Sequence, residues 1–191
     1  MSRPQSGGCC AIARSNTCHG GVMRLTRRCM LIATSLVGGL TTCKAVEFPT
    51  PPVQEFQATL AGSNEVPPVT TSATGSVQLA VTLDTFLIYR LDVAGIDSPT
   101  VAHIHEGAAG VGGAIIVTLY AGPTKGLAFT GELVGSQLKA SQLTQLPAGY
   151  GADPKARLDS LIALMRSGGV YVNVHTRVNP GGAIRGQVQA Q

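Results

Sequence analysis

Ser76–Val93 reads SVQLAVTLDTFLIYRLDV. Val77, Leu79 and Val81 alternate with Gln78, Ala80 and Thr82, and Leu87, Tyr89, Leu91 and Val93 form a second apolar row of the same period. Successive side chains leave a strand on opposite sides, so an apolar residue at every second position marks a strand with one face on a core. Asp84-Thr85 sits between the rows and reads as a hairpin turn. Outward from this pair, the segments 56–61, 101–106, 115–120, 127–133, 170–176 and 183–189 supply further strands. Turn residues separate them: Gly107 to Gly113, Ala121-Gly122-Pro123 and Asn179-Pro180-Gly181-Gly182. About eight short strands at such spacings predict a mainly β domain, an antiparallel, Greek-key-like sandwich or flattened barrel.

One stretch keeps a different period. Asp153 reads as a helix N-cap, with Pro154 at the first helical position. Leu158, Leu161, Ile162 and Met165 then fall on one stripe, and Gly168 supplies the stop. This short helix is expected over one end of the domain, with its stripe in the core.

Charge and cysteine divide the 191 residues in two. Residues 1–45 hold six bases, no acid and all five cysteines; residues 46–191 hold eight bases against ten acids, a net of −2, and no cysteine. Within the first part, Arg24, Arg27 and Arg28 precede an uncharged run from Cys29 to Cys43. That is the charged head and short apolar run of an export signal, too short to span a bilayer as a mature helix. The organisation expected is an extension over 1–22, a signal peptide over 23–45, a Pro-rich linker over 46–55 and a domain over 56–191. The signal serves either the general or the twin-arginine route, and a lipid-bearing Cys43 is the alternative to cleavage near Ala45. The protein is therefore expected to be periplasmic or secreted.

The body lacks the basic footprint and stacking platforms of a nucleic-acid binder. It has no thiol for metal or redox work, no G-x-S-x-G elbow, no phosphate loop and no H-E-x-x-H. Its three histidines are more informative. His103 and His105 lie two apart in VAHIHEG, so on a strand they share a face, about 6.6 Å apart. In VYVNVHT the apolar row is Val170, Val172 and Val174, which puts His175 on the other face with Tyr171 and Asn173. The same parity turns Arg185 away from Ile184 and Val188. All three imidazoles and Arg185 are thus expected on outer faces. Should their strands adjoin, the imidazoles would suit copper, zinc, iron or nickel, with a coordination position left open. Arg185 would attract a small anion there, and Glu106 would stand beside the histidines. Solvated surface histidines are the alternative. Gly181 and Gly182 are expected to make a turn with φ > 0.

Three segments in order, FQATLAGSNEVPPVTTSATG (56–75), VAHIHEGAAGVGG (101–113) and YVNVHTRVNPGGAIRGQV (171–188), resemble the signatures of the CHRD domain. That family includes the repeats of chordin, an extracellular antagonist of bone morphogenetic proteins, and bacterial members that stand alone behind export signals. The resemblance implies an extracytoplasmic β-sandwich that binds a protein or small ligand of undetermined identity. A more limited resemblance is to copper–zinc superoxide dismutases: H-x-H-E at His103 to Glu106, a strand ending at His175, then Gly181-Gly182-Ala183-Ile184-Arg185. It implies three copper ligands and an arginine. The bridging and zinc-site histidines and the disulfide cysteines have no counterpart, which excludes a dinuclear centre. Two functions follow as expectations: an interaction module without catalysis, or a mononuclear copper protein for storage, delivery or redox chemistry.

Overall fold

The computed structural model describes residues 53–82 and 85–191. The expected extension, export signal and most of the linker lie outside them, as does Asp84 of the hairpin. The linker's last residues already belong to the sheet. The strands are β1 (Gln54–Ala61), β2 (Thr74–Thr82), β3 (Phe86–Ile96), β4 (Pro99–Glu106), β5 (Ile115–Tyr120), β6 (Phe129–Lys139), β7 (Val170–Thr176), β8 (Ile184–Gln187) and β9 (Gln189–Ala190). Every ladder is antiparallel. Eight strands follow one another in the order β5-β4-β7-β8-β1-β2-β3-β6, and β9 also pairs with β1. The sheet curls into a nearly closed barrel, the flattened-barrel form of the expected architecture. Its two edges, β5 and β6, approach each other without forming a ladder.

Period-two patterning accounts for most of this. Phe56, Ala58 and Leu60 of β1, Val77, Leu79 and Val81 of β2, and Leu87, Tyr89, Leu91 and Val93 of β3 all point into one core. The sixth strand starts later and runs further than its apolar residues suggested, from Phe129 to Lys139, while Leu127 lies outside it and is exposed. The helix, α1 (Pro154–Arg166), matches its sequence signals. Asp153 Oδ1 accepts from the Ala156 N–H at 2.9 Å, the four stripe residues are buried, and Gly168 takes φ 67°. No helix among the described residues is long and apolar enough to cross a membrane.

β4 and β7 depart from the one-faced pattern. All seven residues of β7 are buried, so this strand is covered on both sides. The inner cover is the core. The outer cover is two loops, 62–69 and 107–114, laid across β4, β7 and β8. Val69 N–H bonds back to Gly62 O at 2.9 Å, and Glu106 N–H bonds to Ala114 O at 2.9 Å, closing each loop on itself. His105, His175 and Arg185 leave from the outer face as expected, but the loops bury them there, so they are not solvated surface residues. Strand parity reports the face a side chain leaves from, not what the chain later lays over it. Gly182 takes φ 137°, but Gly181 has no positive φ, and a Cβ there would meet no atom within 4 Å. Only one of the two glycines is required by the turn.

Candidate functional site

The covered face is built by β4 and β7, whose register sets Val101 opposite His175, His103 opposite Asn173 and His105 opposite Tyr171. Parity puts His103 and His105 on the same side as Tyr171, Asn173 and His175, and adjacency of the two strands brings the imidazoles together. Ring centroids lie 5.7 Å apart for His103 and His105, 5.0 Å for His103 and His175, and 5.9 Å for His105 and His175. One nitrogen from each ring lies within 4.8 Å of the other two.

Two of these rings have their protons assigned by their partners. A carbonyl oxygen only accepts, so His175 Nδ1 carries the hydrogen it donates to Pro180 O at 2.8 Å. Likewise His105 Nδ1 donates to Gly113 O at 3.0 Å. Both rings are left with a lone pair on Nε2. That of His175 faces His103 Nδ1 at 3.2 Å, whereas that of His105 is buried and has no partner. Burial, reinforced by the neighbouring His175 and His105, pushes the His103 pKa down to about 4. Burial also lowers His105, against the opposing hydrogen bond to Gly113. His103 and His105 are therefore neutral at neutral pH, the form in which nitrogen lone pairs ligate.

Around the histidines lies a layer of polar and aromatic supports. Tyr171 stacks on His105 at 4.9 Å with 7° between the planes. Its hydroxyl accepts from Gly113 N–H at 3.2 Å, so Gly113 ties ring and phenol together. Asn173 Nδ2 donates to both carboxylate oxygens of Glu65, at 3.0 and 3.1 Å, while Asn173 Oδ1 is buried without a partner. Burial raises the Glu65 pKa to about 7, although the charge of Arg185 pulls the other way. Arg185 sits opposite Asn173 on β8, with its guanidinium 3.6 Å from the centre of the Tyr171 ring and Nη2 bonded to Val111 O at 2.8 Å. It is thus one strand beyond the imidazoles, latching the 107–114 loop. Glu106 is not beside the histidines. It shares the parity of Ala102 and Ile104, and its carboxylate bonds the hydroxyl of Tyr150. Glycine is required at 182, because a Cβ would collide with Asn173 Nδ2 and lie 2.7 Å from Glu65 Oε1.

Sequence reasoning singled out the three histidines that the structure brings together, and missed Glu65, which binds Asn173. Tyr171 and Asn173 were signalled by sharing the parity of His175. Glu65 carries no such signal, since it lies in an irregular loop after β1 and arrives through tertiary folding alone.

A family model described as the CHRD domain matches residues 56–188. No curated protein matches the chain.

Proposed function

The chain belongs to the CHRD domain family, and from that premise we propose that its domain holds one metal ion, copper, through His103, His105 and His175. The observation that carries this reading is the grouping of one nitrogen from each of three buried or half-buried imidazoles within 4.8 Å. A metal bound to each nitrogen at about 2.0–2.1 Å needs the nitrogens about 3–4 Å apart, a small closing movement from this arrangement. Backbone carbonyls hold two of the rings in the tautomer that offers Nε2, the outer support that metal-binding histidines ordinarily have. Three neutral imidazoles with no carboxylate or thiolate among them favour Cu(II) over other divalent first-row ions. Tyr171, Gly113 and Pro180 keep the rings in place, and three protein ligands leave a position for a small exogenous ligand. The chain is placed outside the cytoplasmic membrane on the same reading.

Copper titration of the full chain, with the amino-terminal cysteines alkylated, tests it. The expected result is one tight Cu(II) per chain with an electron paramagnetic resonance spectrum showing nitrogen coupling. His175→Ala should lose the tight site, with affinity falling at least tenfold and the fold retained by circular dichroism. Full affinity in that variant overturns the proposal.

An interaction module is the second reading, favoured by exposed Val66, Val111 and Val178 on the loops that border the covered face. A partner held by those valines would bind equally well to the metal-free His175→Ala chain.

A further inference from the structure

Asn173 is 3 % exposed, and its Oδ1 is buried without a partner. An amide oxygen can accept two hydrogen bonds, and burying one with none is costly. The other arm of the side chain is fully engaged. Nδ2 donates to both oxygens of Glu65, and a Cβ at position 182 would collide with it, so the amide is wedged with Nδ2 towards Gly182 and the start of β8. The two arms of a planar amide diverge, which turns Oδ1 from that side. Arg185, opposite Asn173 on β8, carries donors, but none reaches Oδ1. On the other side of β7 the residue opposite Asn173 is His103, whose side chain leaves from the same face. The Cβ atoms of such a cross-strand pair lie about 4.5–5.5 Å apart.

Asn173 Oδ1 thus belongs with the histidines, and that cluster is short of hydrogens. The Nδ1 hydrogens of His175 and His105 go to Pro180 O and Gly113 O, which leaves both Nε2 atoms as acceptors. His103 Nδ1 gives its hydrogen to His175 Nε2 at 3.2 Å. No donor remains for His105 Nε2 or for Asn173 Oδ1. A metal on three imidazoles takes up the nitrogen lone pairs and leaves Oδ1 unmet.

We propose that Asn173 Oδ1 accepts a hydrogen bond from the small ligand at the open position of the metal, so that this position takes a protic ligand, water or a hydroperoxide, in preference to an aprotic anion. This rests on the three-histidine metal site proposed above. A metal acidifies the O–H of a bound ligand and makes it a strong donor. Behind the amide, Glu65 accepts from Nδ2, which polarises the group and strengthens Oδ1 as an acceptor. An azide or halide has no hydrogen to offer, so its binding leaves the buried Oδ1 unpaired, the condition under which a site built for an O–H rejects the analogue lacking it.

The test uses the full chain with its amino-terminal cysteines alkylated, loaded with one Cu(II) and titrated with azide. In the native chain, electron–nuclear double resonance in H2O against D2O should show exchangeable protons strongly coupled to copper. Azide binding is followed by its charge-transfer absorption. Asn173→Leu keeps the volume and removes the acceptor. It should retain the nitrogen coupling of the native chain, shift the exchangeable-proton coupling and bind azide about fivefold more tightly, the loss of one hydrogen bond to the displaced water. If Asn173→Leu does not fold with Glu65 left unpaired, Asn173→Leu combined with Glu65→Leu is compared with Glu65→Gln, so that both chains lack the Glu65 charge. A native chain that takes up no tight copper overturns the three-histidine reading and this proposal with it. Nitrogen coupling without an exchangeable proton, or equal azide affinity with and without Asn173, overturns the role of Asn173 alone.

Discussion

Glu65 is a carboxylic acid 6 % exposed with one hydrogen-bonding neighbour, Asn173, and its pKa raised from 4.5 to about 7 by burial. In the folded chain it holds its proton more tightly than in the unfolded chain. Its stabilising contribution is therefore complete below about pH 4.5 and is lost as pH rises through 7. The full difference is on the order of 3 kcal/mol, at about 1.4 kcal/mol per pKa unit. His103 acts in the opposite sense. Its depressed pKa lets the unfolded chain take up a proton first, so it costs stability as pH falls from 6.5 towards 4. Glu65→Gln keeps an oxygen for Asn173 and has no charge to bury. It should be more stable than the native chain above pH 7, and denaturant unfolding should show stability rising from pH 4.5 to 6.5 and then level. A variant that stays level from pH 4.5 to 6.5 and declines above it, as the opposed contributions of Glu65 and His103 make the native chain do, would show that Glu65 does not carry the effect.

At the scale of the element, β8 makes two demands on glycine. It crosses β1 so closely at Gly186 that a Cβ would run into Thr59 O, a backbone atom that cannot turn aside. Just before the strand, Gly182 takes φ 137° against Glu65 and Asn173. Gly186→Ala and Gly182→Ala should each cost about 1–3 kcal/mol, through overpacking in the first case and backbone strain in the second. Gly181→Ala meets open space and should stay within about 0.5 kcal/mol of the native chain. Equal losses at all three positions in urea titrations would remove the distinction. The helix shows how far local signals go: Asp153, Pro154, the apolar stripe and Gly168 were all legible in order, because capping and periodicity act within a few residues. The far end of β6 was not, because Gly135-Ser136-Gln137 carries no apolar alternation and is held as strand by pairing with β3.

For the whole molecule, one core inside a nearly closed barrel leaves β5 and β6 as the unpaired edges, and the export expectation concerns the chain ahead of it. If the charge and cysteine divide marks a removed signal, amino-terminal sequencing of the protein recovered from outside the cytoplasm should begin near Val46. Retention of residues 1–22 in that material would overturn the assignment. The amino-acid sequence by itself determined that the described domain is an antiparallel β structure, where most of its strands and the helix α1 run, and which histidines share a face. Those properties follow from period, capping and turn chemistry, which are local. Only the tertiary structure decided that β4 and β7 adjoin, that two loops bury the shared face, and that Glu65 arrives beside Asn173. Strands far apart in the chain become neighbours through the order of pairing across the whole sheet, and a loop's resting place is set by the surface it covers, so neither is written in any short stretch of the chain.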